Sequence, residues 1–248
     1  MSKSIYIYGF HSIESLLTSN PESVLRVIIQ SGRGDNRIHN LIGMLTDLEI
    51  PFSELEKNRL DQISSNETHQ GVISEVILPP LLTEDSLIDS IDNYKDTPLI
   101  LILDSIQDPR NLGACLRSAN AAGVSHVIIN KDGSAPINAL VHKTSAGAIN
   151  SLAIFHVTNL SRTIKLVQEK GIWVIGLDGE SSSKIYDVNL SDATAIVMGS
   201  EGKGIRQLIK KTCDQLVTIP MSGNIESLNV SVATGIALFE SKRQRENT

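Results

Sequence analysis

The sequence predicts an α/β protein: a mainly parallel sheet flanked by helices, preceded by a smaller α/β unit. Two observations carry this. From residue 98 onward, apolar stretches of strand length alternate with stretches of helical period, the pattern of strands joined by crossover helices. Ahead of them, Pro79-Pro80 and an acidic run ending at Pro98 break the chain, because proline interrupts helices and central strands.

The amino-terminal unit, residues 1–78, reads as a strand over 24–29, a helix over 36–49 and a strand over 71–77. Residues 79–97 are expected as a linker, in which Leu87, Ile88 and Ile91 are spaced for a short helix. In residues 98–248, strands are expected over 99–103, 127–129, 173–177, 195–198 and 216–219, and helices over 111–122, 160–170 and 228–245. The last helix is expected to use Ser227 as its N-cap and to bury Val230, Thr234, Ala237 and Leu238 on one stripe. Lys242, Arg243 and Arg245 complement the negative end of its dipole.

With 248 residues and 41% hydrophobic content the chain can bury a substantial core. Its longest apolar run, 99–103, is far short of the ~20 residues of a membrane helix. The start lacks the apolar core of a signal peptide, and the two cysteines, Cys115 and Cys213, lie far apart in helix-like stretches. A cytoplasmic protein without disulfides is therefore expected. The six histidines show no metal-ligand spacing; no metal is expected, and the histidines are expected on surfaces or in loops. The net charge of −6 leans against nucleic-acid binding by bulk electrostatics. The excess is uneven: residues 98–248 hold 15 Lys/Arg against 13 Asp/Glu, so any nucleic-acid surface must be a local basic patch.

Three segments, 108–118, 196–204 and 219–233, each pass from a strand-like stretch through a Gly- or Pro-bearing polar loop into a helix-like one. In open α/β sheets such loops lie at the carboxyl ends of strands, where ligands bind. The run Gly199-Ser200-Glu201-Gly202-Lys203-Gly204 fails the phosphate-loop pattern, since no Ser or Thr follows its Gly-Lys pair. Its glycines permit close backbone approach; a tight turn explains them equally well, but not Glu201. Arg117 alone reads more readily as a surface ion-pair partner, and Ser227 and Asn229 as helix caps, although Asn229 is a mediocre helix former. His69-Gln70-Gly71 reads as a turn, and His11 as an RNA contact or a helix start. Arg33 and Arg37 flank a basic loop and are the best local candidates for phosphate contact.

Together and in order, the three segments resemble the motifs of the SpoU branch of the SPOUT RNA methyltransferases, also called the TrmH family. Asn111 and Arg117 fall in the first, Glu201 in the second, and Ser227, Leu228 and Asn229 in the third. The stretches 7–13 and 69–72 resemble the start and end of the family's L30e-like RNA-binding domain, so the resemblance covers nearly the whole chain. It implies a SPOUT domain with a deep trefoil knot, an exception to the rule against threaded loops. It also implies a homodimer with active sites near the subunit interface, and S-adenosylmethionine bent in the knotted loops. Gly199, Ile219 and Leu228 match backbone contacts to that cofactor, with Leu177, Met198 and Met221 nearby.

The implied substrate is a guanosine ribose in the peptidyl-transferase P-loop of 23S rRNA, with tRNA as the closer alternative. The implied reaction moves a methyl group from a sulfonium to a ribose 2′-hydroxyl, with Arg117 as the central catalytic residue. Because a guanidinium is rarely neutral, a role clamping phosphate and stabilising alkoxide charge is favoured over that of a base. Asn111 is expected to orient the ribose or Arg117, Glu201 and Asn229 to hold loop geometry, and Ser227 to position the third turn. Two rivals stand: a non-catalytic RNA-binding assembly factor of the same fold, and a nucleotide-dependent α/β enzyme. The intact Asn111, Arg117, Glu201, Ser227 and Asn229 weigh against the first, and the failed phosphate motifs against the second.

Overall fold

The structure is a computed structural model that describes residues 4–77, 81–223 and 227–246. The chain begins β1 (Ile5–Tyr8), α1 (Phe10–Ser19), β2 (Val24–Gln30), α2 (Asn36–Asp47), β3 (Phe52–Leu55), α3 (Lys57–Ile63) and β4 (Val72–Val76). It continues β5 (Leu82–Thr83), α4 (Glu84–Asp92), β6 (Leu99–Asp104), α5 (Pro109–Ala122), β7 (His126–Asn130) and α6 (Ala139–Thr144). It ends β8 (Ala153–Val157), α7 (Leu160–Glu169), β9 (Trp173–Leu177), β10 (Thr194–Gly199), α8 (Gln207–Thr212), β11 (Gln215–Val217) and α9 (Val230–Glu246). These elements form two compact units, Met1–Pro80 with Ile137–Ser151, and Leu81–Pro136 with Leu152–Thr248.

In the first unit the described strands pair in the order β1-β4-β2-β3, antiparallel except for β2 with β3. Side chains alternate across a strand, so β2 sends Val27 and Ile29 to a core shared with Phe10, Ile13, Leu16, Leu41 and Leu45 of α1 and α2. Ile28 points the other way, against Leu60 of α3 and Ile73. The stretch 137–151 also belongs here, which a division at 78 and 97 does not anticipate. Ser12 Oγ donates to the His142 carbonyl (3.3 Å), Ser15 Oγ to that of Gly147 (3.0 Å), and Lys143 pairs with Glu67 (2.8 Å).

In the second unit the described strands pair in the order β11-β9-β10-β6-β7-β8-β5, every pairing parallel. Within the expected linker of 79–97, the described residues 81–97 are instead part of the second unit. β5 pairs with β8, and α4 buries Leu87 and Ile91 among Ile100, Ile128, Phe155 and Ile164. Hydrogen bonds hold it there: Glu84 accepts from Arg162 and Thr163, and Ser90 Oγ lies 3.1 Å from His126 Nε2. The histidines also differ from expectation, since His69, His126 and His142 are buried. His69 bridges Asp61 and the Gly71 amide, while His126 packs between Tyr94 and Phe155.

Candidate active site

The second unit gathers its polar loops at the carboxyl ends of β6, β9 and β10, as a parallel sheet requires. Helix α5 starts two residues before the expected 111: Asp108 accepts from the Arg110 amide (2.8 Å), Pro109 opens the first turn, and Gly123 at φ 80° ends the last. Helix α9 starts later than expected. It begins at Val230, and the cap is Asn229 rather than Ser227: Asn229 Oδ1 accepts from the amide and hydroxyl of Ser231 (2.9 and 2.6 Å).

Asn229 is also the junction of the three motifs. Its Nδ2 donates to Asn111 Oδ1 (3.1 Å) on α5 and to Glu201 Oε1 in the loop after β10. That loop is a closed turn in which the Gly204 amide donates to the Ser200 carbonyl (2.8 Å). Gly199 lies under it, so close that a Cβ would collide with the backbone of Gly204 and Ile205.

Beside this junction runs a cleft of about 850 Å³. All six expected cofactor residues line it: Leu177, Met198, Gly199, Ile219, Met221 and Leu228. Glu201, Ser227 and Asn229 line it as well, as do Asp178 and Lys210, a 2.8 Å ion pair that sequence reasoning missed. Apolar walls, exposed loop amides and paired charges suit a ligand with a planar apolar part and a polar tail. Cysteine chemistry is disfavoured, because burial pushes the Cys115 thiol up to about 11.

Arg117 is not part of the lining. It is exposed on α5, and six residues of helix set it about 9 Å along the axis and roughly 120° around from Asn111. Among the described residues it makes no hydrogen bond or ion pair. The expected RNA contacts are brought together in the first unit, but they are engaged. Arg33 binds Asp35 (3.0 and 2.6 Å) and the Gln70 carbonyl, and Arg37 binds Glu14 (3.2 and 3.0 Å). Both guanidinium groups lie over the Phe10 ring, at 5.5 and 4.4 Å, and exposed His11 stands 3.4 Å from Arg37. The Arg33 guanidinium holds the Asp35 carboxyl below its usual range, so these cations arrive largely neutralised.

Residues 98–239 match the SpoU rRNA Methylase family, and residues 6–80 match the RNA 2′-O ribose methyltransferase substrate binding family. The chain belongs to the SpoU rRNA methylase family. Among its relatives, the 23S rRNA (guanosine-2′-O-)-methyltransferase RlmB of Vibrio parahaemolyticus is 44% identical over 97% of both chains. The protein of that name from Haemophilus influenzae is 46% identical over 96% of this chain and 97% of its own. Among solved structures, an RNA 2′-O ribose methyltransferase superposes with a TM-score of 0.82 at 25% identity, covering 99% of this chain and 90% of that one. The SpoU methyltransferase AviRb of Streptomyces viridochromogenes, solved with AdoMet, shares the fold at 21% identity, with a TM-score of 0.81 over 99% and 92% of the two chains. The SpoU fold therefore extends over both units.

Proposed function

We propose that this SpoU family member transfers a methyl group from S-adenosylmethionine to the 2′-hydroxyl of a guanosine ribose in 23S rRNA, at the peptidyl-transferase P-loop. Full-length likeness to rRNA guanosine-2′-O-methyltransferases carries the reading. When bound, the cofactor supplies a methyl group on a positively charged sulfur. The chain must hold it, align the ribose oxygen with the methyl and help the hydroxyl lose its proton.

The cleft fits that ligand: Leu177, Met198, Ile219, Met221 and Leu228 offer apolar walls, and the Gly199 turn offers backbone groups. Asn111 orients the ribose side, while Glu201 and Asn229 keep the two loops in register and Ser227 positions the third turn. Arg117 clamps the neighbouring phosphate and stabilises alkoxide charge. Its position outside the cleft lining favours a homodimer in which α5 and α9 face a second copy. The exposed apolar Val232 and Phe239, seven apart on α9, give that copy a surface to cover. The first unit is assigned to RNA binding and the second to a knotted catalytic domain, in a protein working in the cytoplasm. Mapping 2′-O-methyl groups on 23S rRNA from cells with and without this protein tests the reading. One guanosine should lose its mark; an unchanged rRNA map with a lost tRNA mark would move the substrate to tRNA.

A further inference from the structure

Asp104 closes β6 with a carboxylate that is completely buried. A buried charge is costly unless it is paired and hydrogen-bonded, and here Arg206 supplies the paired charge while Ser105 Oγ donates a further bond to Oδ1 (3.2 Å). Asp104 Oδ2 accepts from the Arg206 backbone amide (2.9 Å) and Oδ1 from Arg206 Nε (2.7 Å). The Arg206 side chain nevertheless remains 54% exposed, and among the described residues its two Nη groups engage no acceptor. The arginines on the face of the first unit are different, since both Arg33 and Arg37 spend Nη donors on carboxylates. Arg206 is thus a guanidinium gripped along its inner edge by a buried acid, with its outer edge turned to solvent. It follows the loop of Glu201, at the carboxyl end of the sheet where Gly199 and Asp104 stand in register, yet it is outside the lining of the cleft.

We propose that Arg206 is a binding residue for a phosphate of the RNA strand, and that Asp104 is the positioning residue that pre-orients it. A fixed guanidinium presents two parallel N–H donors to two oxygens of one oxyanion. Holding the fork in place beforehand removes ordering cost on binding. The cofactor's carboxylate offers similar chemistry, but the position outside the cleft favours the RNA. The proposal rests on the methyltransferase reading above.

The test measures affinity for an unmodified transcript of the peptidyl-transferase region of 23S rRNA at several salt concentrations, and S-adenosylhomocysteine affinity by calorimetry. Arg206→Gln is made together with Asp104→Asn, so that no buried charge is left unpaired. RNA affinity should fall by roughly tenfold, the loss of one charge-assisted contact. The salt slope should fall by about 0.7, the value for one single-strand phosphate. Cofactor affinity should stay nearly constant. Asp104→Asn alone and Arg206→Lys should weaken RNA binding while keeping the salt slope, because charge remains and orientation does not. Full RNA affinity in the folded double variant overturns the assignment, and a loss confined to S-adenosylhomocysteine transfers Arg206 to the cofactor. A wild-type protein that neither binds nor methylates the transcript overturns both this assignment and the enzyme reading.

Discussion

Asn229 shows how one side chain can be both structure and site. An N-cap needs only an acceptor, and Ser, Asp and Asn serve about equally. Only an amide also carries donors, and Asn229 uses them on Asn111 and Glu201 while its oxygen caps α9. Asn229→Asp should therefore keep the helix within about 1 kcal/mol of wild type, since the cap survives. It should weaken S-adenosylmethionine binding by roughly tenfold, because two carboxylates then face each other where one hydrogen bond stood. Unchanged affinity by calorimetry would remove Asn229 from the cleft's architecture. Arg117→Ala should abolish methyl transfer with far less effect on cofactor affinity, and Arg117→Lys should also be poor, since an ammonium lacks the fork. Near-normal turnover of the alanine variant excludes Arg117 from the chemistry. The sequence offered both Ser227 and Asn229 as caps and favoured Ser227. Both residue types cap helices, and what selects Asn229 is a pair of bonds to residues 118 and 28 positions away.

Among the elements, the turn after β10 was legible in its glycines, and the close backbone approach expected of them is met at Gly199. Positive φ belongs to Gly202 and Gly204; Gly199 is needed because the returning backbone of Gly204 and Ile205 leaves no room for a Cβ. Gly199→Ala should therefore open the turn and lower stability by about 1–3 kcal/mol, the usual effect of overpacking. Cofactor binding should fall with it, and Gly199→Val should do worse. A stable alanine variant with full affinity in urea unfolding and calorimetry contradicts this packing. The acidic stretch before Pro98 was legible as a break but not as a structural part. A two-residue strand such as β5 leaves no period to detect, and the spacing of Leu87 and Ile91 announces the short helix α4 but not the sheet it packs on. Leu87→Ala should cost about 2–5 kcal/mol, measured as a shift in the urea midpoint; a change under about 0.5 kcal/mol, typical of surface sites, would mean the segment is a tether after all.

For the molecule as a whole, the alternation of elements announced a parallel sheet, but no sequence pattern announces which distant stretches pack together. Residues 137–151 lie between two strands of the second unit and yet fold with the first. His142 is at the centre of that contact: it is buried, and neither ring nitrogen has a hydrogen-bond partner among the described residues. Burial accordingly lowers its pKa from 6.5 to about 4. The folded state thus refuses a proton that the unfolded state accepts. Stability is fully present above about pH 6.5 and declines as pH falls from there towards about 4, where the folded protein binds the proton too. By about pH 5 the loss from His142 should be about 2 kcal/mol. Burial lowers His126 and His156 in the same direction, so wild type should lose somewhat more. Urea unfolding at about pH 7 and about pH 5 checks this, with His142→Leu as the comparison. The leucine variant should lose markedly less stability across that interval; an equal loss in both proteins would show that His142 is not the group that makes this fold acid-sensitive.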